Sequence, residues 1–336
     1  MKKLLVGNKK IMGAYIKIIR LPFLLAIVAA QLIVHYQYLR TIIGIEQYDM
    51  PNYLLAIMCV TTLFIAAGGF VINDYYDLRI DEINRPLTRI VGNEITKNTA
   101  MNMYIAFTAV AICLSVIIGI ITKSLGISLV YMSMIGLLWF YSSSYKRILF
   151  LGNILFAAST TMSIVSVAIL EQHSLLVWWA NQLEAHGYYV NQTSLSMADP
   201  TVSQMYKVIG ILSVLIFVWC FILDLIRNFE EEKGETEMEC HTIPIVYGRK
   251  TGKIMALSLI FVANMICIYM LLSNFNILHS VSIQYYVLTT FAFSVALSYF
   301  VYNCEHRRDC NICKNLVYIN ILFCVCFGFL YTYLKA

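Results

Sequence analysis

Two short stretches of this sequence gather oxygen-bearing side chains at helical spacing. The first reads Asn73-Asp74-Tyr75-Tyr76-Asp77-Leu78-Arg79-Ile80-Asp81, followed by Asn84-Arg85-Pro86. On a helix, Asn73, Asp77 and Asp81 stack along one face, each four residues from the next. The second reads Asp224-Leu225-Ile226-Arg227-Asn228-Phe229-Glu230-Glu231-Glu232-Lys233-Gly234-Glu235. Its Asp224, Asn228, Glu231 and Glu235 recur at intervals of four, three and four, again giving one face. Carboxylates crowded in this way repel one another, and a cation removes that cost. Mg²⁺ takes one or two carboxylates and leaves its other positions to water and phosphate oxygens. The spacing therefore predicts Mg²⁺ and a diphosphate at Asn73, Asp77, Asp81, Asp224, Asn228, Glu231 and Glu235. Either stretch alone also fits ordinary solvated charge at a helix end, and it is the repetition of the stripe that favours the metal.

A bound diphosphate also needs cations for its free oxygens. Arg85 and Arg89 follow the first stretch, Lys146 and Arg147 follow an apolar block, Arg227 lies in the second stretch, and Arg249 and Lys250 come after it. Taken singly, each of these is equally well explained as orientation charge on a membrane protein.

The elements that must position these groups are membrane helices. The chain has 336 residues, of which 60% are hydrophobic and 13% charged, about half the charge of a soluble domain. Uninterrupted apolar blocks of about 18 residues or more match a bilayer core, where the backbone must be helical to satisfy its polar groups. Nine such spans are predicted, near residues 21–38, 53–72, 100–121, 125–141, 151–170, 208–223, 254–274, 284–302 and 315–334. The expected fold class is thus all-α, a polytopic bundle forming one integral membrane domain over residues 1–336. The first block lacks a small-residue cleavage site after Lys2, Lys3, Lys9 and Lys10, so it reads as a retained helix. With the N-terminus in the cytoplasm, 20 basic residues fall on the inner side and four on the outer, the bias expected of a correct span count. Both acidic stretches then face the cytoplasm.

The net charge of +5 is therefore orientation charge facing anionic lipid, and no nucleic-acid partner is expected. Most of the ten cysteines lie inside spans and the rest on the reducing side, so no disulfides are expected. Cys304, His306, Cys310 and Cys313 contain enough ligands for zinc, but the spacing is short for a zinc knuckle, and reduced loop thiols are the adopted reading. The connection from Glu171 to Lys207 carries Trp178 and Trp179 and reads either as an interfacial segment or as a simple loop. Matching acidic stretches after the second and sixth spans suggest a weak duplication. A cation transporter would also place acids on membrane helices, but its sites usually sit near the midplane.

The first stretch, with its Asn-Arg-Pro sequel, resembles the first aspartate-rich motif of the UbiA superfamily of intramembrane prenyltransferases. Tyr141-Ser142-x-x-Tyr145-Lys146-Arg147 with Leu151-Gly152-Asn153 is similar to that family's segment around its fourth and fifth helices. The second stretch and the following His241-Thr242-Ile243-Pro244-Ile245-Val246-Tyr247-Gly248-Arg249-Lys250 resemble its second motif. The resemblance covers nearly the whole chain. It implies Mg²⁺ bridging a prenyl diphosphate, catalytic roles for Asp77, Asp81 and Lys146, and substrate contacts from Arg85, Arg89, Tyr141, Arg147, Arg227, Arg249 and Lys250. It also implies ionisation of the allylic C–O bond, attack by a hydrophobic or amphiphilic acceptor, and an isoprenoid tail housed among apolar helices. The second motif departs from the family pattern: Asn228, Glu231 and Glu235 stand where many members have aspartates, which puts the detailed metal geometry in question. Its spacing looks most like members that act on geranylgeranylglycerol phosphate, with quinone-pathway members acting on 4-hydroxybenzoate or dihydroxynaphthoate as the alternative.

Overall fold

The computed structural model describes residues 13–274 and 281–335; Lys2, Lys3, Lys9 and Lys10, which entered the orientation count, lie outside them. The described chain runs α1 (Leu21–Ile43), α2 (Asn52–Tyr76), α3 (Leu78–Asn84), α4 (Lys97–Ile121), α5 (Leu125–Ser143), α6 (Leu151–Ala185), α7 (Asp199–Glu237), α8 (Ile243–Tyr247), α9 (Arg249–Asn274), α10 (Val281–Tyr302) and α11 (Arg307–Lys335). Among the described residues there is no β-strand, and nine of these helices are long and apolar enough to cross a bilayer, as predicted. Their starts follow local chemistry. Pro22 stands in the first turn of α1 and Pro51 just before α2. Thr96 and Ser124 accept the backbone N–H of Thr99 and Ile127 at 3.2 and 3.4 Å, capping α4 and α5.

Helix α7 is the centre of the bundle. Of its apolar stretch, 78% is buried, against 17% for α4. It packs against α6, α9 and α11, while α3 crosses its lower end.

The sixth and fifth spans run further than hydropathy predicted. The fifth was expected to stop at residue 170 and the sixth at 223, each just before a carboxylate, Glu171 and Asp224. Both carboxylates are interior, 0% and 2% exposed, and the helices continue past them to Ala185 and Glu237. Glu171 accepts a hydrogen bond from the Tyr48 hydroxyl at 2.8 Å and lies 2.6 Å from His35 Nδ1. A hydropathy reading stops at a charge because it cannot see such partners. Trp178 and Trp179 consequently lie on the extension of α6 and not in a loop, and only residues 186–198 connect α6 to α7. At about 1.5 Å per residue α7 is roughly 58 Å long, well beyond the ~30 Å hydrocarbon core, so its acidic end is free to project.

Two close approaches fix the site. A Cβ on Gly234 of α7 would lie 2.6 Å from Asn84 Nδ2 and 2.9 Å from the Ile80 carbonyl, so glycine lets α3 rest directly on α7. A Cβ on Gly152 would lie 2.8 Å from the Lys146 carbonyl, so the start of α6 presses on the turn that carries Lys146. The ten cysteines all carry free thiols.

Candidate active site

The first acidic stripe is formed by two helices rather than one. α2 ends at Tyr76, Asp77 breaks the geometry with φ −82° and ψ 3°, and α3 resumes at Leu78. The i to i+4 backbone bonds still run through the break, from Asp77 N to Asn73 O at 2.9 Å and from Asp81 N to Asp77 O at 2.8 Å. Asn73, Asp77 and Asp81 therefore keep one face and are all buried. The second stripe lies on unbroken helix, with Asp224, Asn228, Glu231 and Glu235 all buried.

Three cations join the stripes. Lys146, delivered by the tight turn Tyr145–Arg147, donates to Asp77 Oδ2 at 2.6 Å and to Glu231 Oε2 at 2.8 Å. Arg85 donates to Asp81 Oδ1 at 3.0 Å and to Glu231 Oε1 at 2.9 Å. Arg227 reaches Glu231 Oε1 at 3.3 Å and Asn73 Oδ1 at 3.2 Å. Asn73 in turn donates to Asp77 Oδ2 at 2.8 Å. Glu231 is thus the hub, bonded to all three cations.

A second ring of partners supports this core. The Tyr141 hydroxyl and Asn153 Nδ2 donate to the two oxygens of Asp224 at 2.9 and 3.1 Å, and the Arg227 guanidinium lies 5.9 Å from the centre of the Tyr141 ring. Thr242 donates to Glu235 at 2.8 Å, and Arg20 holds Asp74 at 2.8 Å. Asn84 clasps α7 from both sides of its amide, donating to the Glu231 carbonyl at 3.0 Å and accepting from Gly234 N at 3.1 Å. Residue types and spacing did not single out Arg20, Asn84, Asn153 or Thr242 as site residues. Three of them sit inside the motifs that were read, which was the available signal; Arg20 offered none beyond its charge.

Six buried carboxylates (Asp74, Asp77, Asp81, Asp224, Glu231 and Glu235) face four cations (Arg20, Arg85, Lys146 and Arg227), two fewer than full neutralisation requires. Burial pushes the Asp81 carboxyl up to about 6 against the pull of Arg85, and the neighbouring carboxylates push in the same direction. Burial and Arg227 oppose the charge on Lys146, but Asp77, Glu231 and Glu235 outweigh them and hold its pKa above the ordinary lysine value. Burial likewise works against the Arg85 charge, and Glu231 and Asp81 overcome it.

Among the described residues no three His, Cys, Asp or Glu side chains form a ready-made metal cage, because basic groups stand between the carboxylates. The donor set still fits a hard divalent ion. The carboxyl groups outnumber the basic groups, and Asn228 Oδ1 is buried without a hydrogen-bond partner. A buried acceptor left in that state costs about 1–3 kcal/mol, which a cation ligated by that oxygen would recover.

The remaining candidates stand outside this network. Arg89 pairs with Glu82 and bonds Asn93 at 3.1 Å. Arg249 lies behind α7, bound to Glu232 at 2.6 Å and to the Phe229 and Cys304 carbonyls at 3.1 and 3.2 Å. Lys250 is exposed. Arg147 turns away from the carboxylates and donates to the Tyr76 carbonyl at 3.4 Å. Of the four candidate zinc ligands, Cys304, Cys310 and Cys313 are buried beside Arg249, with Cys304 and Cys310 sulfurs 3.1 Å apart, whereas His306 is exposed. Hydrogen bonds from Cys310 and Cys313 hold the Cys304 thiol well below the ordinary range.

The sequence and the fold have parallels among known proteins. A 116-residue segment is 43% identical to the digeranylgeranylglyceryl phosphate synthase of Saccharolobus solfataricus, covering 34% of this chain and 39% of that one. The protein of the same name from Methanobrevibacter smithii is 24% identical over 300 residues, 89% of this chain and 88% of its own. For three archaeal relatives of that name, the chain matches between 39% and 64% of their length. A solved structure of a UbiA homolog from Archaeoglobus fulgidus bound to GPP and Mg²⁺ shares the fold, with a TM-score of 0.58 at 13% identity, covering 95% of this chain and 99% of that one. The sequence profile of the UbiA prenyltransferase family matches residues 43–322, which is most of the chain. By that match, the chain belongs to the UbiA prenyltransferase family.

Proposed function

We propose that this protein transfers a prenyl group from an allylic polyprenyl diphosphate to a glycerol-phosphate lipid and releases pyrophosphate. One observation carries the reading: two acidic stripes, distant in sequence, meet around Lys146, Arg85 and Arg227 at one end of a membrane bundle. The relatives named digeranylgeranylglyceryl phosphate synthase favour the lipid acceptor. The excess of basic residues on the connections at this end favours a cytoplasmic site, with the N-terminus on the same side.

Asp77, Asp81, Asn228 and Glu231, with Asn73, Asp224 and Glu235 beside them, would hold Mg²⁺. Bound there, the ion supplies Lewis-acid neutralisation of charge on the departing diphosphate. Lys146, Arg85 and Arg227 are placed to exchange a carboxylate contact for a phosphate oxygen. The allylic C–O bond breaks with its electron pair going to the diphosphate. An acceptor hydroxyl then forms the new C–O bond, and its proton passes to the released pyrophosphate. The Tyr141 ring, which faces Arg227, presents a π surface suited to steadying positive charge. Apolar walls from α2, α5, α6 and α7 exclude the water that would otherwise quench the cation.

The test is product identification by mass spectrometry. Purified protein with Mg²⁺ and geranylgeranyl diphosphate is offered a glycerol monoether phosphate and, separately, 4-hydroxybenzoate. Ether product and pyrophosphate support the reading, and prenylated 4-hydroxybenzoate alone moves the chain to the quinone-pathway class. Full activity in both Asp77→Ala and Asp81→Ala would sink the mechanism.

A further inference from the structure

Most cations at this end of the bundle have a carboxylate partner: Lys17, Arg20, Arg85, Arg89, Lys146, Arg227, Arg249, Lys253, Arg307 and Lys314 are all in ion pairs. Arg79, Lys97 and Arg147 make no ion pair among the described residues, and all three line one cavity of about 370 Å³. Its remaining walls are Tyr75, Tyr76, Leu78 and Met238, so no acidic side chain borders it. Lys97 Nζ lies 4.8 Å from the centre of the Tyr75 ring, and the Tyr75 and Tyr76 rings meet edge to face at 5.3 Å. Three like charges around one concavity repel, and an anion is what relieves them. The apolar and aromatic part of the lining suits a ligand that joins an anion to a hydrocarbon chain.

Position sets this cavity apart from ordinary basic surface. Tyr76 and Arg147 are the immediate chain neighbours of Asp77 and Lys146, the pair bridged at 2.6 Å in the candidate active site. Arg147 closes the wall between the two by donating to the Tyr76 carbonyl. The cavity thus backs onto the acidic network but contributes no carboxylate for a metal. The diphosphate already has Lys146, Arg85 and Arg227, so a second anion is the fitting occupant here.

We infer that the cavity of Arg79, Lys97 and Arg147 is the subsite for the phosphate of an acceptor lipid, setting preference for acceptors with a phosphomonoester headgroup. This rests on the prenyl-transfer reading above and extends it to the acceptor. Phosphate on a bulk membrane lipid has the same chemistry, and the experiment separates the two sources.

Full-length protein in phosphatidylcholine nanodiscs is titrated with a glycerol monoether phosphate and with the same ether lacking the phosphate, in the absence of prenyl diphosphate. The wild type should bind the phosphorylated ether more tightly. The double variant Arg79→Gln/Lys97→Gln should lose at least about tenfold of that affinity, as removal of charge-assisted hydrogen bonds predicts, with binding of the unphosphorylated ether unchanged. Arg79→Lys/Lys97→Arg, which keeps the charge, should recover most of the loss, and a melting temperature equal to wild type excludes misfolding. Equal binding of the two ethers by wild type, or no loss in the double variant, overturns the subsite. So does full competition by phosphatidylglycerol mixed into the nanodisc, which would make it a bulk-lipid site. If the phosphorylated ether binds as expected but no prenyl diphosphate yields product, phosphate binding in the cavity stands, while its assignment to an acceptor is overturned together with the prenyl-transfer reading.

Discussion

The two acidic segments look alike in sequence and differ in how the fold uses them. The first spans a break between α2 and α3, and its carboxylates have mainly one cation each: Asp74 with Arg20, Asp77 with Lys146, Asp81 with Arg85. The second lies on the most buried helix of the bundle and holds both extremes of satisfaction. Glu231 bonds Lys146, Arg85 and Arg227 together, whereas Asn228 Oδ1, on the preceding turn, has no partner. Glu231 and Asn228 are therefore the most and the least engaged residues of this segment. A glutamate is long enough to reach cations on α3 and on the Tyr145–Arg147 turn at once. An asparagine in place of an acid leaves a neutral acceptor free for a cation.

The sharpest way to break this comparison is to remove the hub. Glu231→Ala removes the partner that Lys146, Arg85 and Arg227 share and leaves them Asp77, Asp81 and Asp224, and breaking a buried pair by removing one partner costs about 3–5 kcal/mol. We expect the largest fall in thermal stability of any single site variant, and prenyl transfer reduced by at least about a hundredfold. Asp77→Ala should match it in activity but unfold at a higher temperature, since Asp77 serves Lys146 and Asn73 and not Arg85. If the two melt together, Glu231 is not the hub.

Gly234→Ala tests the contact between the segments rather than either one. The added methyl group meets Asn84 and the Ile80 carbonyl, so α3 must move off α7 at a cost of about 1–3 kcal/mol. Melting temperature and product formation should fall together; an unchanged melting temperature would show that α3 shifts freely.

Asn228→Asp sharpens the comparison from the other side. An added carboxylate at the orphaned position should lower the Mg²⁺ concentration for half-maximal activity by about fivefold, because ligand charge tunes affinity for hard cations. Titration of activity against Mg²⁺ checks this, and a rise in that concentration would remove Asn228 from the ligand set. The smallest effect is expected at Lys250, exposed and outside the network: Lys250→Ala should stay within about 0.5 kcal/mol in stability and about twofold in activity. A larger loss would draw α9 into the site.

Much of this was legible along the chain because it depends on local periodicity. Runs of apolar residues as long as a bilayer is thick predicted nine spans, and a four-residue repeat predicted the faces of Asn73/Asp77/Asp81 and Asp224/Asn228/Glu231/Glu235. What was misread shares one cause. The fifth and sixth apolar spans were drawn to residues 170 and 223, and the helices run on past Glu171 and Asp224. Here each has partners brought from elsewhere, Tyr48 and His35 for the one, Tyr141 and Asn153 for the other. Arg249 was read as a phosphate contact and Arg20 only as orientation charge, yet Arg20 binds the Asp74 carboxylate and Arg249 sits behind α7.

By itself the sequence determined the all-helical class, the family, the stripes and the supply of cations, since each follows from residue type and spacing within a few turns of helix. Only the tertiary structure decided which cation meets which carboxylate. Gly234 and Asn84 are 150 residues apart and Lys146 and Glu231 are 85, and no local rule selects among the many pairings open to charges at such separations. The choice was made by packing. α3 rests on α7 where a glycine permits it, the turn carrying Lys146 is pressed inward by Gly152, and the low-dielectric interior makes any other arrangement of those charges too costly.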